Sequence, residues 1–194
     1  ALLVLFSVIA AARTPLPDVL VADDGRTFAV RGVDGRLSFH HTGGDTFAIR
    51  EWLAADADGR DIHDPGLDDD ISCDPSGCIG RLADGSLVAY TLAPDAFEDD
   101  CRNAALIVAM HDPPPGCAAM VIGRADLRTR GALALRRTGS GFVIDSARPL
   151  NFDRPWAPAP APPKVQPGNG APVPDATPRP EDLDAPTSRP RQAA

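Results

Sequence analysis

The stretch Ala104-Ala-Leu-Ile-Val-Ala-Met110 decides how the chain folds. A continuous apolar run with no polar alternation reads as a β-strand buried on both faces. Upstream, Pro94 sits at a first helical turn and opens a short helix through Asp99, leaving Cys101 near its end. Downstream, Pro113-Pro-Pro-Gly-Cys117 makes a turn, Ala118-Ala-Met-Val-Ile122 a second short buried strand, and Arg124 to Arg130 one or two helical turns. Two further strands, Gly131-Ala-Leu-Ala-Leu-Arg136 and Gly141-Phe-Val-Ile-Asp145, flank the turn Thr138-Gly-Ser-Gly141.

Toward the N-terminus the pattern changes to short apolar runs divided by glycine turns. Asp18-Val-Leu-Val21, Thr27-Phe-Ala-Val-Arg31 and Arg36-Leu-Ser-Phe-His40 are separated by Asp24-Gly25 and Asp34-Gly35, both two-residue hairpin signals, so a three-stranded meander is expected. In Asp45 to Ala55, Phe47, Ile49, Trp52 and Leu53 recur at near-helical spacing, giving a short amphipathic helix that Asp45 or Thr46 would cap. Asp56 to Ser72 is acidic and aperiodic and reads as a loop. A second hairpin, Cys78-Ile-Gly-Arg-Leu82 to Ser86-Leu-Val-Ala-Tyr-Thr-Leu92, turns at Asp84-Gly85. The order of elements gives an α+β fold with a mixed sheet.

The ends of the 194-residue chain differ from its middle. Residues 1–13 begin Ala-Leu-Leu-Val-Leu-Phe-Ser-Val-Ile-Ala-Ala-Ala and carry no charge before Arg13, which reads as the truncated end of a transmembrane helix. A spanning helix needs about 20 apolar residues, so the rest of it would lie upstream; a trimmed signal peptide or a buried strand are the other readings. From Ala157 to Ala194 the composition shifts to Pro, Ala, Asp, Arg and Thr, too poor in large apolar residues to offset chain entropy, and a disordered Pro-rich tail is expected, with a proline-rich ligand at Pro172 to Pro180 as its alternative. The interval 16–156 is left as one domain.

Charge is segregated along the chain. Its net of −8 is concentrated between Asp45 and Asp100, whereas Cys101 to Trp156 holds eight arginines against four acids. The balance argues against a general nucleic-acid binder, but Arg124, Arg128, Arg130, Arg136 and Arg137 form a local basic cluster able to meet a DNA backbone, stand solvated or pair with the acidic loop. The four cysteines, Cys73, Cys78, Cys101 and Cys117, fall in two sequence-local pairs, a pattern of two disulfides in an oxidising compartment. Free buried thiols and a zinc site are the alternatives, the second lacking a tight C-x-x-C knuckle.

No catalytic centre is legible, and no cofactor is called for. The histidines are His40, His41, His63 and His111. Neighbours on a strand point to opposite faces, so His40 and His41 cannot chelate one ion. His111-Asp112 follows the buried strand, where catalytic groups often sit, but one histidine and one carboxylate are not a site. Ser140 lacks a nucleophile elbow. The loop acids Asp56, Asp58 and Asp61 depart from a calcium loop, with Gly59 in the wrong place and no closing glutamate.

Cys101-Arg-Asn-Ala-Ala-Leu-Ile-Val-Ala-Met110, the proline-rich turn to Cys117, Ala118-Ala-Met-Val-Ile-Gly123 and Asp126-Leu-Arg-Thr-Arg-Gly-Ala-Leu-Ala-Leu135 together resemble the C-terminal region of ComEC-type competence proteins of alphaproteobacteria. Arg154-Pro-Trp156 resembles the ending of that region, and the likeness covers roughly Pro17 to Trp156, mainly in its second half. It implies an extracytoplasmic domain with a degenerate metallo-β-lactamase-like fold, facing the periplasm. It also implies attachment to the transmembrane channel portion of the same polypeptide in the inner membrane, with single-stranded DNA and other competence proteins as partners. The family's D-V-G-Q-G-D strand and H-x-H-x-D-H metal motif are absent from the chain, so no ligand is carried over, and the domain is expected not to be an enzyme. A divergent metal-dependent hydrolase using His111 and Asp112, and a tethered module unrelated to DNA, are the rival readings.

Overall fold

The computed structural model describes residues 15–148 apart from Gly44 and Ser140. The expected transmembrane end at 1–13, the tail at 157–194, Arg154-Pro-Trp156 and Ser140 lie outside the described residues. Among the described residues no helix is long and apolar enough to cross a membrane.

Among the described residues ten strands and three α-helices follow one another: β1 (Val19–Val21), β2 (Thr27–Arg31), β3 (Leu37–His41), α1 (Phe47–Ala55), β4 (Ile71–Cys73), β5 (Gly77–Arg81), β6 (Leu87–Thr91), α2 (Phe97–Asn103), β7 (Leu106–Ala109), β8 (Met120–Gly123), α3 (Arg124–Arg130), β9 (Leu133–Thr138) and β10 (Gly141–Ser146). The α+β class therefore holds. The single mixed sheet does not, because the strands divide into two sheets of five. In the first, ordered β10-β9-β1-β2-β3, every pairing is antiparallel: the C-terminal hairpin returns to β1, Leu135 standing opposite Val19, a long-range pairing that local pattern does not reveal. In the second, ordered β4-β5-β6-β7-β8, the first two pairings are antiparallel and the last two parallel, with α2 as the crossover from β6 to β7.

The sheets pack face to face. Val19, Val21, Phe28, Val30, Leu133 and Leu135 of the first meet Val88, Tyr90, Leu106, Val108 and Ile122 of the second in one buried cluster. Each such side chain contributes about 1.5–3 kcal/mol by leaving water. The alternate residues point outward and are covered in turn: Leu20, Ala29, Leu37 and Phe39 by Ile49 and Leu53 of α1, and Ala89, Ile107 and Ala109 by Phe97 of α2. The result is a stack of helix, sheet, sheet and helix. All four residues of β7 are buried, Leu106 and Val108 inward and Ile107 and Ala109 outward, as the unbroken apolar run requires. Gly80 fits the sheet interface closely; a Cβ there would stand 2.8 Å from both methyls of Val30.

Several local expectations need correction. The Asp-Gly turns at Gly25, Gly35 and Gly85 fall where expected, with φ of 68°, 80° and 83°, but they are not two-residue hairpins. At Gly35 and Gly85 the closing bonds run from Gly32 N–H to Arg36 O and from Leu82 N–H to Ser86 O, so three residues are enclosed and the glycine ends a tight turn. The Asp56 to Ser72 loop holds a 3-10 turn, Pro65–Leu67, and ends in β4. Strand β8 is an edge strand and only partly buried, since β7 covers one of its sides and no strand the other. The α2 helix runs to Asn103, beyond the expected stop at Asp99. At α1 it is Asp45 that accepts the Phe47 N–H, at 2.9 Å, while the Thr46 hydroxyl accepts from Arg50.

Candidate functional site

Three places hold most of the side chains that sequence reading singles out. The first is the Cys73–Cys78 disulfide. These residues stand directly opposite each other on β4 and β5, 4.0 Å apart at Cα, in a hairpin closed by Asp74 N–H to Gly77 O at 2.8 Å. Cys78 is buried and Cys73 exposed. The disulfide borders a cleft of about 580 Å³ whose rim carries Asp74, Asp95, Asp99 and Asp100. Asp100 accepts a hydrogen bond from Thr91 Oγ1 at 2.7 Å, and burial raises its pKa above the ordinary carboxylate value.

His40 reaches the same disulfide from the facing sheet. It shares a register position and therefore a face with Phe28, so it points between the sheets, while His41 points the other way toward Thr27 Oγ1. The two histidines therefore lie on opposite faces of β3. The His40 ring packs 5.4 Å from that of Phe28 and 5.2 Å from that of Tyr90. Its Nδ1 lies 3.4 Å from Cys73 Sγ and 3.3 Å from Cys78 Sγ. Burial, with His41 nearby, holds its pKa below the ordinary imidazole value. Sequence reading missed this convergence because His40 lies 33 residues before Cys73 and no local spacing links them.

The second disulfide, Cys101–Cys117, fastens α2 to the segment before β8 with a Cα separation of 4.9 Å, and both cysteines pack on the outer face of the second sheet. No described cysteine is free.

The arginine cluster divides in two. Arg136 is paired with Asp145 at 2.9 Å, and Arg137 with Asp84 at 3.0 Å, its guanidinium also lying over the Phe142 ring. On α3, Arg124 and Arg128 are exposed and Arg130 partly so, and among the described residues these three have no carboxylate partner. The five therefore do not act as one face.

The third place is the acidic loop, which is not the solvated segment its composition suggests. Arg31, buried in β2, grips Asp56 through two bonds of 2.8 Å and also donates to Pro17 O and Gly35 O. Arg60 pairs with Asp58 at 2.7 Å, both side chains under a tenth exposed, and donates to Gly66 O and Leu37 O. Hydrogen bonds from Arg60 pull the Asp58 pKa down to about 2. Asp61 and Asp64 accept the backbone N–H groups of His63 and Gly66. Asp56 and Asp58 thus fasten the loop to the first sheet, and their partners are Arg31, Arg36 and Arg60 rather than the C-terminal cluster.

His111 and Asp112 are exposed in the turn after β7. They are not part of the one convergent group of potential metal ligands among the described residues, which is His40, Cys73 and Cys78. Comparison with protein families, with characterised proteins and with solved structures finds no match.

Proposed function

We propose that the chain is a non-catalytic, extracytoplasmic C-terminal domain of an inner-membrane channel that takes up single-stranded DNA. The observation that carries the reading is the resemblance of Cys101 to Leu135 to the ComEC-type competence family. Geometry supports treating that stretch as a unit. Its two cysteines are bonded across the proline-rich turn, its two apolar runs are the adjacent parallel strands β7 and β8, and its final run enters the first half of β9.

Two further features support the reading. Disulfides persist in oxidising compartments, in keeping with a periplasmic face. The stack of helix, sheet, sheet and helix suits a degenerate metallo-β-lactamase-like domain. In this account the domain is a scaffold beside the channel portion of the same polypeptide. Arg124, Arg128 and Arg130 supply weak backbone contacts to incoming DNA, and other competence proteins dock around it.

The test is the gene sequence read upstream of the codon for Ala1 in the same frame. The account expects a series of apolar segments of about 20 residues each. A start codon close upstream, with no such segments, would overturn it.

A further inference from the structure

At the end of the hairpin β4–β5, three donors from two sheets meet. The His40 ring nitrogens lie 3.3 to 3.7 Å from the Cys78 sulfur, Nδ1 lies 3.4 Å from the Cys73 sulfur, and the donor atoms of all three side chains fall within 4.8 Å of one another. We infer that, once the Cys73–Cys78 bond is reduced, His40, Cys73 and Cys78 form a binding site for a d10 metal cation, of which Zn²⁺ is the representative.

The donors are held by two separate strand pairings. The pairings Ile71 with Gly80, Ser72 with Ile79 and Cys73 with Cys78 belong to the β4–β5 ladder, so the two sulfurs stay neighbours when their covalent bond is cut. His40 is held separately, by its place on β3 and its packing on Phe28 and Tyr90. Ligands at about 2.3 Å for sulfur and 2.0–2.1 Å for nitrogen stand roughly 3.6 Å apart around a tetrahedral zinc ion. The nitrogen-to-sulfur distances already meet that spacing, and rotation of the cysteine side chains is what must separate the sulfurs.

Donor chemistry points to the cation. Two thiolates and one imidazole favour zinc and copper(I) over magnesium or calcium, and three protein ligands leave a fourth position for water. The two bonds also differ in access: in the first, Cys78 is buried but Cys73 is exposed, whereas Cys101 and Cys117 are both half-buried, so an incoming thiolate meets the Cys73 side of the first bond more readily. Reduction consumes two electrons and two protons, and an external dithiol supplies them while closing its own disulfide. Zinc then displaces both thiol protons and takes His40 as the neutral imidazole. The inference does not depend on the DNA-uptake reading.

The experiment reduces the full chain with a dithiol, removes the reductant without oxygen and titrates Zn²⁺ against a chromophoric chelator. Co²⁺ serves as the spectroscopic probe and circular dichroism as the check of fold. One equivalent should bind, at least about 100-fold more tightly than to the oxidised chain, with thiolate-to-cobalt charge-transfer absorption. His40→Ala should weaken binding by at least about 10-fold, because a direct ligand counts for no less than the outer-shell groups whose removal costs about 10–100-fold. Cys73→Ser with Cys78→Ser should abolish it while leaving Cys101 and Cys117 in place. Equal binding by the His40→Ala chain, binding that survives the double serine change, no binding at all, or unfolding on reduction would each overturn the inference.

Discussion

Asp58 carries much of the loop's attachment, and its chemistry makes the attachment depend on pH. Its pKa is depressed, so the unfolded chain binds the proton more readily than the folded one. The stabilisation is therefore complete above the unfolded value of 3.8 and is lost as pH falls toward about 2. A depression of this size corresponds to roughly 2 kcal/mol. We expect Asp58→Asn to cost about 3–5 kcal/mol near neutral pH, because the buried Arg60 guanidinium loses its carboxylate. The variant's stability should also fall less steeply between pH 4 and 2, as read from urea unfolding at each pH. An unchanged acid limb would assign the pH dependence to other carboxylates. None of this was legible in the sequence: a seventeen-residue segment with seven Asp looks solvated until Arg31 and its own Arg60 are seen to be buried against Asp56 and Asp58.

At the scale of elements the sequence was far more informative. Period-2 runs, the Ala104 to Met110 stretch and the Asp-Gly turns locate nearly all the strands, because these signals depend on immediate neighbours. What they leave open is pairing. Nothing within β1 or β9 announces that they lie side by side, and one sheet was expected where two form. The staple on α2 belongs to this scale too. Cys101 and Cys117 are 16 residues apart, and closing a loop of that length contributes about 3 kcal/mol through the unfolded chain. Replacing both with serine should lower stability by about that amount in thermal or urea unfolding. A loss below about 1 kcal/mol would mean that α2 and the turn are held by packing alone.

For the whole molecule the main fact is the separation of its charges. Acids dominate the middle of the sequence, where Asp56 and Asp58 pair with Arg31, Arg36 and Arg60, while of the five clustered C-terminal arginines the three on α3 have no carboxylate partner among the described residues. If these contact a nucleic-acid backbone, replacing Arg124, Arg128 and Arg130 with alanine should weaken retention of single-stranded DNA and reduce the log–log salt slope by about 2. Binding that is unchanged at low salt would leave the domain as a scaffold. The sequence named all five arginines but not their division, since the partners Asp84 and Asp145 come from two different hairpins.

A role in DNA entry is tested in the cell. Codons 15–148 are removed from the chromosomal gene, and arrival of labelled donor DNA in the cytoplasm is compared with that in the parent strain under transforming conditions. The account predicts that DNA still collects at the cell surface but that its entry falls by at least about tenfold, a loss equivalent to roughly 1.4 kcal/mol if read as a free energy. Entry at the parental rate, with the shortened protein present in the membrane, would contradict it.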